Sequence, residues 1–371
     1  MVRGERLMKK YIIIFKSNNG KEILEKLNAK NIEIHMDIIA IANLDTDSVK
    51  ELEKSTEVES IEPDSNEHLD DEPDYRHENS TTTYAFDFMN IKEFHKEGIT
   101  GKGMKVAILD TGIQKHENLK IVDGVNAYDS NEPWNENLAN AHGTRVAGII
   151  NAQGKDNEVL GIAPDAEMYC VRIDNGNGAI NTTTWSSQIA GIAWAVEKGV
   201  DAINCSFSSR IDSKARKKIF QIASDKGIAI FCSAGNTQPT NDTTTNTARY
   251  PAKYPFTIAN ANINPDKSRY PTSCIGQGIN FSNGGVRAYS TTTDRNFSGT
   301  SNKHVVGTGT SFASPATLGI YLLYKQKYQE DKDKILQRMV VNAEPLGNYF
   351  WYGAGLPKYP TKEYINIRIR S

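Results

Sequence analysis

The feature that most constrains the fold is a regular alternation between residues 104 and 232. Met104-Lys-Val-Ala-Ile-Leu109, Ala166-Glu-Met-Tyr-Cys-Val-Arg-Ile173, Asp201-Ala-Ile-Asn-Cys205 and Ile228-Ala-Ile-Phe-Cys232 are apolar runs of strand length. His142–Asn151, Ser187–Lys198 and Ser213–Lys226 lie among them with helical spacing. Strands that are apolar on both faces must be covered on both, and strands separated by helices run parallel. The prediction is an α/β fold with a parallel sheet and helices on both faces. In such sheets ligands bind beyond the carboxyl ends of the strands. Residues 237–305, rich in Thr, Asn and Gly, read as further strands and loops.

A smaller unit precedes this pattern. Lys10–Lys16 reads as a strand, Gly20–Lys30 as a helix, Ile32–Leu44 as one long or two short strands and Val58–Glu62 as a closing strand. Asp45-Thr-Asp-Ser48 is a helix-start signal before Val49 and Leu52. The order β-α-β-β-α-β suggests a small ferredoxin-like sandwich. Residues 65–83 are acidic and nearly free of apolar side chains, which reads as a solvated linker open to proteolysis. The expected division is therefore 1–64, 65–83 and 84–371.

The 371 residues carry 43 Lys+Arg against 45 Asp+Glu, so no basic field recommends a nucleic-acid partner. No apolar run approaches the roughly 20 residues of a membrane span. The charged start is followed by five apolar residues, Tyr11–Phe15, too few for a signal peptide. A cytoplasmic monomer without membrane or nucleic-acid partners is expected, with secretion by a non-standard route as the alternative. Cys170, Cys205, Cys232 and Cys274 form no CxxC pair, and the first three sit in strand-like runs, as reduced core thiols do.

Four short motifs fall where a site belongs. Asp110 ends a strand in Leu109-Asp-Thr-Gly112, His142 opens a helix in His142-Gly-Thr-Arg145, and Asn236 follows a strand in Ser233-Ala-Gly-Asn236. Ser311 stands in Gly309-Thr-Ser-Phe-Ala-Ser-Pro315, a tight turn before the apolar run Ala316–Tyr324. Singly each has an ordinary reading: a turn, a helix-cap histidine, a loop asparagine, a glycine-rich turn before a core helix. Together they supply a nucleophile at a helix N-terminus, a base, a group that orients the base, and a donor for an oxyanion.

These motifs, with Leu160-Gly-Ile-Ala-Pro164 and Tyr250-Pro-Ala-Lys-Tyr-Pro255, resemble the subtilisin-like serine proteases from about Ser80 to Leu356. The resemblance implies catalytic Asp110, His142 and Ser311 in that chain order, and Asn236 as oxyanion donor. It implies a serine endopeptidase acting on peptide or protein substrates. Residues 1–64 resemble the family's propeptide, a chaperone and inhibitor cleaved from its own enzyme and still a partner of it. A peptide-binding pseudoprotease, a transpeptidase or macrocyclase, and a dedicated processing protease stay open as alternatives.

Departures from the family pattern bear on specificity. Arg145 replaces a histidine, and Phe312 a methionine expected to be a core exchange. Ser206-Phe-Ser-Ser209 replaces Ser-Leu-Gly-Gly, so Ser208 and Ser209 add bulk to one wall of the pocket for the residue before the cut. Arg249, often glycine at the pocket floor, calls for a carboxylate from a substrate Glu or, second, Asp; otherwise it turns to solvent or to a protein carboxylate. Counting back from Asp110 places the mature N-terminus near Asn79, with Glu78 before the cut. In the family's calcium loop Asn118 stands for a usual Asp and Lys155 for a usual Asn or Asp, and a carboxylate lost with an ammonium gained opposes a bound dication. No cofactor is expected to be required, calcium staying open as the alternative, and the Lys155 ammonium is expected to fill that position.

Overall fold

The computed structural model describes residues 7–68, 72–74, 83–136, 141–155, 159–176, 182–237, 244–293 and 304–361. The first unit is β1 (Lys9–Phe15), α1 (Gly20–Lys26), β2 (Lys30–His35), β3 (Ile39–Leu44), α2 (Thr46–Lys54) and β4 (Val58–Pro63), an antiparallel sheet in the order β2-β3-β1-β4. The first helix stops four residues earlier than expected, because Asn28 turns to a left-handed φ of 56° and Lys30 already belongs to β2. β1 and β3 are apolar on both faces because both are covered. Ile13, Phe15, Ala40, Ala42 and Leu44 pack with Leu24 and Leu52 of the unit's own helices. Ile12, Ile14, Ile39 and Ile41 face the larger domain.

Two short strands follow, β5 (Asn66–His68) and β6 (Glu72–Asp74). The 65–83 stretch was expected to be solvated. Its described parts instead pair with the larger domain, and Glu67 is buried. The reason is local: backbone groups laid against a strand edge satisfy each other, and the Glu67 carboxylate finds buried donors.

The larger domain begins with α3 (Tyr84–Phe88) and α4 (Ile91–Lys96). It continues through β7 (Lys105–Asp110), β8 (Ile121–Asn126), α5 (His142–Asn151), β9 (Glu167–Arg172), β10 (Thr182–Thr184) and α6 (Trp185–Glu197). β11 (Ala202–Cys205), α7 (Lys214–Asp225), β12 (Ala229–Ser233), β13 (Ile258–Ile263) and β14 (Ile279–Gly284) complete the main sheet. β15 (Ala288–Thr291), β16 (His304–Thr308), α8 (Thr310–Tyr328), α9 (Lys332–Asn342) and α10 (Tyr349–Tyr352) close it. Seven parallel strands run in the order β14-β13-β12-β11-β7-β9-β8. β8 carries Asp123 and Gly124, poor strand formers, which hides it from a reading by apolar runs.

One face of the sheet is covered by α5 and α8, where Val146, Ile149, Ile320 and Leu322 join the core. The other is covered by α6 and α7, through Ile189, Ile192, Ile219 and Phe220. Thr184 and Ser187 form a reciprocal capping box that starts α6. Ser213 caps α7 through the Arg216 amide. Two carboxylates of the first unit add to these caps. Asp64 accepts from the Ser186 amide (3.0 Å) and hydroxyl (2.6 Å), and Glu62 accepts from the Ala215 amide (2.9 Å) and the Ser213 hydroxyl. Anions at these helix starts meet orphan N–H groups and the positive end of each dipole.

Candidate active site

Asp110, the residues after Cys205 and those after Ser233 leave the carboxyl ends of adjacent strands β7, β11 and β12. α5 brings His142 to the same edge. The approach is close: a Cβ on Gly143 would overlap the Gly112 carbonyl oxygen, and the Gly143 amide donates to Thr111 Oγ1 (3.0 Å). His142 Nδ1 lies 2.7 Å from Asp110 Oδ1, with both side chains almost fully buried. Asp110 Oδ1 also accepts from the Thr111 amide at 2.8 Å. A carboxylate held this way keeps the proton of the imidazole on Nδ1 and leaves Nε2 to act as a base.

Ser311 sits on the first turn of α8 and is 3% exposed. Its neighbour Phe312 meets the His142 ring edge-on, centroids 5.9 Å apart. The expected core exchange at Phe312 thus also touches the base. Gly309 precedes the helix at φ 151°, a conformation essentially reserved for glycine. This turn sets the Thr310 amide 3.1 Å from Asn236 Oδ1, which the Thr310 hydroxyl also approaches, at 3.2 Å. With its oxygen engaged, the Asn236 amide presents Nδ2 beside the start of α8, where the Ser311 N–H belongs to the orphan donors of the helix. The pair can meet a negative oxygen formed by attack of Ser311 Oγ on a carbonyl.

The pocket residues gather beside this centre. Ser206 Oγ donates to the Ser311 carbonyl (2.8 Å), Phe207 is buried, and Ser208 and Ser209 are nearly so. Ser209 and Tyr250 exchange both backbone hydrogen bonds at 2.8 Å. Arg249, half-buried, runs its stem past Gly235: a Cβ there would lie 2.9 Å from Arg249 Cδ and 3.1 Å from Ser208 Oγ.

Residues 101–355 match the subtilase family of peptidases. The chain belongs to that family. This subtilase is 31% identical to the thermostable alkaline protease of Halalkalibacterium halodurans over 90% of its own length and 88% of the relative's. It is 32% identical to subtilisin E of Bacillus subtilis over 94% of its length and 88% of that relative's. Its fold matches fervidolysin from Fervidobacterium pennivorans, a keratinolytic enzyme related to subtilisin, with a TM-score of 0.79 and 21% identity. That match covers 96% of this chain and 61% of fervidolysin. The protein is a subtilisin-type serine endopeptidase and acts on peptide or protein substrates. Among the described residues no helix is long and apolar enough to cross a membrane. The cytoplasmic expectation draws no support from these relatives.

Away from Asp110, His142 and Ser311, Arg145 is buried on α5, and its carbonyl accepts from Ser290 Oγ on β15 (2.5 Å). In the calcium loop of this subtilase, Asn118 Oδ1 accepts the amides of Gln153 (3.0 Å) and Lys155 (3.2 Å). Lys155 Nζ donates to the Glu117 carbonyl at 3.1 Å. Oxygens already committed to N–H donors, beside an ammonium, do not fit a dication. Glu78 and Asn79, the expected processing bond, lie outside the described residues. Sequence reasoning missed the strand contacts that residues 66–68 and 72–74 make with the larger domain. β5 pairs with β10, placing His68 opposite Thr182 and Glu67 opposite Thr183. β6 pairs with β16, placing Glu72 opposite Thr308, three residues before the nucleophile. Their signal was faint: three-residue strands of polar residues.

Proposed function

We propose that this subtilase is made as a self-processing zymogen and that it favours glutamate or aspartate directly before the cut. The observation that carries the reading is the pairing of β5 with β10, just past the carboxyl end of β9, and of β6 with β16, the strand that leads into the Ser311 turn. A peptide added as strands along the carboxyl edge of the sheet, and against the strand before Ser311, is positioned as a substrate. The bond first cut then lies between His68 and Glu72, earlier in the chain than Glu78. Leu69, Asp70 and Asp71 are the intervening residues, and two of the three are acidic.

The groups of the site divide the reaction among them. His142 Nε2 takes the Ser311 Oγ proton as Oγ attacks the carbonyl, and Asp110 stabilises the imidazolium. Asn236 Nδ2 and the Ser311 amide receive the oxyanion. The imidazolium returns its proton to the departing amine, and water releases the acyl group by the same route. Residues 1–64 act as the propeptide, held by Glu62 and Asp64 at the starts of α7 and α6. Arg249 supplies the cation of the pocket, and Ser208 narrows its wall.

The N-termini of the matured protein and of its Ser311→Ala variant test both parts. The expected result is a new N-terminus directly after Asp70 or Asp71 in the active protein and an intact chain in the variant. A variant that matures at the normal rate assigns the cut to another protease. An N-terminus at Asn79 overturns the reading from strand pairing, and a cut after Leu69 overturns the acidic preference. Arg249→Gly is expected to move cleavage of a peptide library towards apolar residues before the cut.

A further inference from the structure

Arg216 lies on α7 and is fully buried. Buried arginines need acceptors, and this one has an uncommon set. Its Nη2 donates to the Ile211 carbonyl at 2.5 Å, and its Nη1 approaches Gln188 Oε1 at 3.5 Å. Its guanidinium carbon lies 5.4 Å from the centre of the Trp185 ring. These groups come from α6, α7 and the loop between β11 and α7. The charge is completed from the other side, by Glu67 of the strand that pairs with β10.

The Glu67 carboxylate receives three donors on its two oxygens. Arg216 Nη1 and Trp185 Nε1 (2.6 Å) meet Oε1, and Gln188 Nε2 (3.1 Å) meets Oε2. Asn66, next to it on β5, is exposed. The alternation is that of an added strand: the paired edge fixes the backbone, and every second side chain enters a pocket. Glu67 enters this one.

We infer that Arg216, with Trp185 and Gln188, makes this pocket of the cleft select a glutamate side chain of the substrate, upstream of the residue directly before the cut. The inference rests on the reading of residues 66–68 and 72–74 as substrate-like strands in the cleft. Once the first unit leaves, Arg216 keeps the Ile211 carbonyl and Gln188 but loses its carboxylate. A buried cation without an anion is strongly disfavoured, so the empty pocket selects for the group it lost. An apolar side chain leaves the cation without a carboxylate, and removes the acceptor that the indole N–H and the Gln188 amide N–H share with it. Aspartate is one methylene shorter than the side chain that now spans from β5 to these donors. Together with an acidic residue before the cut, two acidic positions in one short segment define a narrow substrate class. That is the behaviour of a processing enzyme, in contrast to a broadly digestive one.

The test uses the matured enzyme and quenched peptides that copy residues 62–74, with Glu, Asp, Gln or Leu at position 67. A companion series keeps glutamate there and varies the residue before the observed cut. The expected result is a kcat/KM for the glutamate peptide roughly 100-fold above the glutamine and leucine peptides, as for pockets built around a polar group. Aspartate should fall between. Arg216→Met should erase the preference and make the leucine peptide at least the equal of the glutamate one. Should that variant fail to fold, Gln188→Leu should narrow the preference several-fold. Equal kcat/KM for all four peptides in the unsubstituted enzyme, with the cut still between positions 68 and 72, overturns the pocket and leaves the cleft reading standing. Absence of any cut between those positions overturns the cleft reading, and the pocket with it.

Discussion

Pro315 lies inside α8, and its ring nitrogen has no proton to give to the Ser311 carbonyl four residues earlier. That carbonyl would be a buried orphan on the nucleophile itself. Ser206 Oγ fills the gap at 2.8 Å and is held by Asn204 Nδ2 at 2.9 Å, while Ser314 Oγ donates to Asn204 Oδ1 at 2.9 Å. The nucleophile, the pocket wall and the helix start are therefore joined by one polar chain. Ser206→Ala should cost about 1–3 kcal/mol, the price of an unsatisfied buried acceptor. Adding Pro315→Ala returns an N–H to the helix and should recover at least half of that loss. Urea unfolding of the two variants, in an inactive Ser311→Ala background that prevents self-digestion, measures both. Additive losses in the double variant would sink this account.

Among the elements, Glu344 ties the segment after α9 to two others. It accepts from Lys267 Nζ (2.7 Å) and from Lys358 Nζ (2.8 Å). Hydrogen bonds from Lys267 and then Lys358 hold its carboxyl below the ordinary value of 4.5. A carboxyl lowered by folding stabilises the native state fully above its unfolded pKa, and that contribution is lost as pH falls through the folded value. Glu344→Gln should therefore lower Tm by about 1–3 °C at neutral pH, a small effect because solvent screens the group. The gap to the unsubstituted protein should close as pH drops from roughly 5 to 3. A gap that stays constant across this range would show that the two lysines are not responsible. Thermal scans at stepped pH, in the Ser311→Ala background, decide it.

For the whole molecule, the cation loop offers the clearest contrast with a calcium-stabilised design. The Asn118 oxygen is shared by two amides, and the Lys155 ammonium caps the Glu117 carbonyl. We propose that these donors do the work of an ion in this loop, so that removal of calcium has nothing to release there. Excess EDTA should shift Tm by less than about 2 °C, since a tightly bound stabilising ion would shift it in proportion to its binding free energy. A fall of tens of degrees would overturn this reading of the loop.

Much was legible in the sequence because its causes are local. Continuous apolar runs such as Val106–Leu109 and Ala229–Cys232 must be buried on both faces, and that alone implies a covered parallel sheet. Asp110, His142, Asn236 and Ser311 were visible because each closes a strand or opens a helix, and strand ends are where such sheets hold their chemistry. The partners of Glu67 were not legible. Trp185, Gln188 and Arg216 are far from it in sequence, and an acidic stretch looks solvated until donors from two helices surround it. The role of Ser206 was hidden in the same way, since the orphan carbonyl it satisfies exists only once Pro315 is inside a helix. Local patterning determined the layers and the chemical groups at the site. Only the tertiary structure decided which charges meet, because burial pairs side chains across space and leaves no mark on their spacing along the chain.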